Sequence, residues 1–134
     1  MAAFRSLVHG LARSGGSSGR QPGLLIVRTA EEWARCWERM TKGQRPGPEI
    51  PSVDWSVEVV VVVNLGSRPT TGYAVTIDQI VAGDQTLEVS VTESRPAGGF
   101  GGRMVTHPVH AVAVPARDAR DNLRLVQRVT TRPE

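Results

Sequence analysis

The chain has 134 residues and a formal charge of +3, from sixteen Lys+Arg against thirteen Asp+Glu. That is the size of one domain with a core large enough to hold without disulfides or metal. Its pI of about 10.0 reflects fifteen Arg against the single Lys42, since guanidinium groups keep their proton to very high pH. The positive charge is scattered among acids, which argues against a nucleic-acid reader. The single Cys36 excludes an internal disulfide and a multi-Cys zinc site.

In chain order, residues 4–8 read as a short strand and residues 14–19 as a Gly/Ser-rich loop. The N-terminal twenty residues lack a continuous apolar stretch of the secretory kind. No run of about 18 apolar residues suggests a membrane span. The chain as it stands reads as cytoplasmic. Residues 23–28 form a compact apolar run after Pro22, a strand. Thr29 and Glu32 have capping-box spacing, and Trp33, Cys36, Trp37 and Met40 then recur at three and four, an amphipathic helix.

Residues 43–51, with three prolines and two glycines, form an irregular link. Residues 57–63 hold six Val interrupted only by Glu58. Apolar residues at both parities predict a central strand covered on both faces, one of them by the Trp helix. Residues 73–81 and 86–92 alternate in polarity across a short Ala-Gly-Asp-Gln link and predict an antiparallel hairpin. A Gly-rich break at 96–102 precedes a strand at 109–114, closed by Pro115. Leu123, Leu125 and Val129 suggest a last strand, with residues 130–134 frayed. The expected fold is α+β: one domain over 1–134, with about seven short, mainly antiparallel strands in a sandwich or partly open barrel and one N-terminal amphipathic helix.

Two connections stand out as candidate partner-binding segments. In Arg68-Pro69-Thr70-Thr71-Gly72-Tyr73, Pro69 restricts φ, the threonines can bond the local backbone and Gly72 permits positive φ. Turn chemistry alone also explains each residue, with Tyr73 turned inward. In the second, Gly99, Phe100 and Gly101 lie within four glycines flanking one Phe. Phe100 is either an anchor for a partner pocket or a cover for a core edge. No P-loop context accompanies these glycines. Thr106 and His107 complete this segment, Pro108 forcing extended geometry before it.

His107 and His110 are three apart, which in a strand sends them to opposite faces, so no metal site is expected. No nucleophile elbow or Cys-His signature is present, so neither catalysis nor a cofactor is expected. Arg117, Arg120, Arg124, Arg128 and Arg132 recur near the C-terminus, interrupted by Asp118 and Asp121 and without a stacking array, which again disfavours nucleic acid. Cys36 on the apolar stripe reads as a small buried filler.

Three segments resemble the PrcB C-terminal-like family, named after an accessory subunit of a bacterial protease complex. They are Glu31-Glu32-Trp33 with Trp37, leading to Asp54-Trp55 and the Val run; Pro69-Thr70-Thr71-Gly72-Tyr73; and Thr106-His107-Pro108-Val109-His110 leading to Pro115. The resemblance covers roughly residues 4–114, with Thr71 where the turn usually has glycine and Val109 where an aromatic is common. It implies a non-enzymatic domain that binds or stabilises a protease partner, often in an exported form. The Pro-Thr-Thr-Gly-Tyr and Gly-Gly-Phe-Gly-Gly segments are also similar to two inhibitory loops of chagasin-type cysteine protease inhibitors. The third loop of that family, Arg-Pro-Trp, has no counterpart here, and its sandwich has no place for the Trp helix.

Overall fold

A computed structural model describes residues 2–12, 23–44, 48–68, 72–96 and 105–131. The elements are β1 (Arg5–Ala12), β2 (Gly23–Val27), α1 (Ala30–Met40), β3 (Glu58–Asn64), β4 (Ala74–Ala82), β5 (Thr86–Arg95), β6 (His107–Pro115), a 3-10 turn at Ala116–Asp118, and β7 (Asn122–Thr131). The strands form two sheets, ordered β1-β6-β3-β2 and β4-β5-β7. Neither closes into a barrel. The four-stranded sheet is the middle of three layers, with α1 on one face and the second sheet on the other.

The Val run explains this layering. In β3, Val59, Val61 and Val63 join Val75, Ile77, Ile80, Leu87, Val89, Val91, Val112 and Val114 in the core between the sheets. Val60 and Val62 point the other way, onto Trp33, Cys36, Met40, Val109 and Ala111. Successive strand residues face opposite sides, so an unbroken apolar run is stable only when both sides are covered.

Thr29 caps α1 in extended geometry, its hydroxyl oxygen accepting from the Glu32 N–H at 3.2 Å. The Glu32 carboxylate then accepts from the Thr29 hydroxyl at 3.2 Å, rather than reaching back to its backbone. Trp33 is 2 % exposed, which contributes about 2–3 kcal/mol through apolar burial. Its indole N–H donates to the Pro51 carbonyl at 3.2 Å, and that of Trp37 to Pro48 at 3.1 Å. The two indoles thus tie the proline-rich link to the helix. Asp54 organises the following turn, accepting from Ser56 N–H and hydroxyl, bonds that hold its carboxyl below the usual range.

Two expectations on strand bounds need correction. The first strand runs to Ala12 rather than Val8, because a bulge between Ser6 and Val8 lets β1 stay paired along β6. The mainly antiparallel pairing holds, with β5 and β7 the one parallel pair among the described strands. After β5 the chain passes through β6 in the other sheet and returns by the 3-10 turn, so it re-enters in the same direction. The tail is also not frayed from 130, since Thr130 and Thr131 pair with Ser94 and Arg95. The Gly/Ser stretch at 14–19 lies outside the described residues.

Candidate functional site

The two connections singled out in the sequence leave neighbouring strands and meet at their stems. Arg68 N–H donates to the Thr106 carbonyl and Thr106 N–H to the Arg68 carbonyl, both at 2.8 Å. This one-pair antiparallel bridge joins the segment after β3 to the segment before β6. Gly72, with φ +96°, lies against Pro96 at the end of β5, where an added Cβ would come within 3.0 Å of the Pro96 Cβ. Positive φ and this close approach both require glycine there.

Arg68 was expected at a partner surface, but its side chain turns inward and is 8 % exposed. Its Nε donates to Glu93 Oε2 at 3.0 Å and its Nη2 to Glu93 Oε1 at 3.1 Å, a bidentate pair, while Nη1 donates to the carbonyls of Leu65 and Ser67. Glu93 is 0 % exposed and also accepts from Arg95 Nε at 3.1 Å and Gln127 Nε2 at 2.9 Å. Burial raises its carboxyl pKa, but the hydrogen bonds and charges of Arg68 and Arg95 outweigh that and hold it below the ordinary value. A fork-shaped guanidinium matches a carboxylate in this way and satisfies both partners away from water.

Thr106 is likewise buried, 4 % exposed, and so is a stem residue rather than a contact surface. Tyr73 and Gly72 are partly buried at the start of β4. His107 is partly buried, and its Nδ1 is a buried polar atom with no hydrogen-bond partner among the described residues. Pro69, Thr70, Thr71, Gly99, Phe100 and Gly101 lie outside the described residues.

His9 and His110 are cross-strand partners whose rings stack at 4.0 Å. Ile77 N–H donates to His110 Nδ1 at 2.9 Å, so that nitrogen is unprotonated. The proton therefore sits on Nε2, which donates to Ser6 Oγ at 2.9 Å. His9 Nε2 is 2.8 Å from the Val75 carbonyl, which only accepts, so His9 donates there. Burial, then the neighbouring His9, pull the His110 imidazole from 6.5 down to about 4, against an opposing pull from Asp78. Two side chains of the first sheet thus bond the outer backbone edge of β4 in the second.

Sequence reasoning missed Glu93 and the histidine pair. Glu93 shares the parity of Leu87, Val89 and Val91, an inward-facing signal available in the sequence. The meeting of His9 with His110 depends on a strand pairing across about a hundred residues and left no local signal. Cys36 is buried, and burial raises its thiol pKa against a lowering influence of Arg39. Among the described residues no group of three or more His, Cys, Asp or Glu is arranged to hold a metal ion, and no helix is long and apolar enough to cross a membrane.

Comparison with curated proteins and with solved structures finds no match in either, and nothing extends the similarity to chagasin-type inhibitors. The model of the family described as PrcB C-terminal matches residues 59–115. The Glu-Glu-Trp helix falls outside this stretch, so the match is narrower than the resemblance drawn from the motifs. Residues 59–115, which run from β3 through β6 and carry both loop stems, are thus the part of the chain that is similar to the PrcB C-terminal family.

Proposed function

We propose that this chain is a non-catalytic protein-binding domain that stabilises or modulates a partner protease through the connections at 68–73 and 96–107. The observation that carries the reading is the joining of their stems by the Arg68–Thr106 bridge, beside the buried Arg68–Glu93 pair. Stems that are already fixed beside each other reduce the ordering cost of binding through the two connections. The family match supports a role associated with a protease complex.

The test is co-expression and pull-down with proteases from the native host, using Thr70→Glu and Phe100→Ala. Arg68 is unsuitable as a surface probe because its charge is internal. Loss of a co-purifying protease, with unchanged melting of the domain, is the expected result. Unchanged recovery of every partner by both variants would overturn the loop surface. Longer protease lifetime on co-expression identifies a stabilising subunit, whereas slowed peptide hydrolysis identifies an inhibitor.

A further inference from the structure

The two-sheet body has two seams, and they are finished differently. Between β1 and β4, the seam is closed by His9 on the Val75 carbonyl, by Ile77 N–H on His110, and by Ala2 N–H on the Ile80 carbonyl at 2.7 Å. On the other side lie β2 and β7, the end strands of their sheets. There the side-chain link among the described residues is the exposed Arg28–Asp121 pair at 2.6 Å near one end.

β7 pairs only with β5 among the described strands. In a parallel pair, alternate residues turn their N–H and C=O toward the neighbour and the others turn theirs away. A ten-residue strand therefore offers a row of outward backbone groups of the kind that accepts another strand. Leu123 and Leu125 pack only partly against the inter-sheet core, and Val126 and Val129 are 40 % and 46 % exposed.

Charge narrows the occupant. Within Asn122–Thr131 the charged residues are Arg124 and Arg128, with no acid. Arg124 is 70 % exposed and 3.9 Å from Glu88, a pair of little strength. Arg128 lies opposite Thr92 and makes no ion pair among the described residues. A second copy fits poorly: antiparallel self-pairing centred on Val126 sets Arg124 against Arg128 twice, and like charges directly opposite are destabilising.

We propose that the open edge of β7 receives an extended strand of another protein, with acidic side chains toward Arg124 and Arg128 and apolar ones toward Leu123 and Leu125. The proposal rests on the outward edge of β7 and not on the loops, although Gln127 of β7 also reaches Glu93 behind the stems, so the position of the response tells the two surfaces apart.

The probe is the acetylated, amidated peptide Glu-Val-Glu-Thr-Glu-Val-Glu, titrated against isotopically labelled protein. Saturable shifts and slowed amide exchange at 122–131 are expected, with no response to the Lys counterpart. N-methylation of alternate peptide residues should abolish binding on one parity and spare it on the other, as ladder pairing demands. The double variant Arg124→Glu, Arg128→Glu, both exposed and compatible with the fold, should weaken the acidic peptide about tenfold and favour the Lys peptide. The proposal is overturned if both peptides bind alike, if shifts centre on 68–73 and 96–107, if β7 is silent at millimolar peptide, or if the chain dimerises through β7.

Discussion

Glu93 is a carboxylate placed on the buried parity of a strand, and its stability depends on its partners. Removing one member of a buried pair leaves the other charged and unsolvated, at a cost of about 3–5 kcal/mol. Arg68→Met and Glu93→Leu are each expected to lower stability by about that amount. The double variant should recover a large part of the loss, since two apolar side chains leave no charge stranded. Denaturant unfolding of the four proteins checks this, and additive losses would contradict the coupling. The alternation of β5 pointed Glu93 inward. Nothing local distinguished Arg68 from a solvated turn residue, because its inward direction comes from the carboxylate that waits 25 positions later in the sequence.

At the scale of elements, the histidine clasp predicts pH dependence. Unfolded, His110 titrates near 6.5; folded, at about 4. Between those values the unfolded chain binds more protons, so stability is complete above about pH 6.5 and falls as pH drops toward 4, by up to about 3 kcal/mol. Protonation of Nδ1 also removes the acceptor for Ile77 N–H. Glu93, with its lowered pKa, adds a further loss only below the ordinary carboxylate range. Thermal melting at pH 7.5, 6, 5 and 4.5 measures the profile, and His110→Gln, whose amide oxygen can accept from Ile77, should flatten its upper part. An identical slope in the variant would remove His110 as the cause. Helix α1, β3 and the β4–β5 hairpin were legible because capping spacing, two-parity valines and alternation each have a local physical cause. The clasp was not, since side chains bonding the edge of another sheet follow no periodicity.

At the scale of the whole molecule, the sequence pattern of β7 is the same for parallel and antiparallel pairing, and only the route through β6 decides the direction. Both sheets join segments distant in sequence: β1 pairs with β6, and β5 with β7 across the intervening β6. Non-local pairing delays the return on loop closure, so refolding is expected on a scale of roughly milliseconds to seconds. Stopped-flow fluorescence of Trp33, Trp37 and Trp55, which lie in or against the helix-side core, checks this, and complete recovery in microseconds would contradict it.

The parallel β5–β7 pair also bears on how the chain is made. During synthesis β5 leaves the ribosome well ahead of β7, and until β7 arrives one side of β5 has no neighbour and Glu93 lacks Gln127. The nascent domain therefore carries a sticky strand border from the completion of β5 at Arg95 until β7 is made. Slow decoding between β5 and β7 would lengthen the interval in which that border can capture a wrong strand.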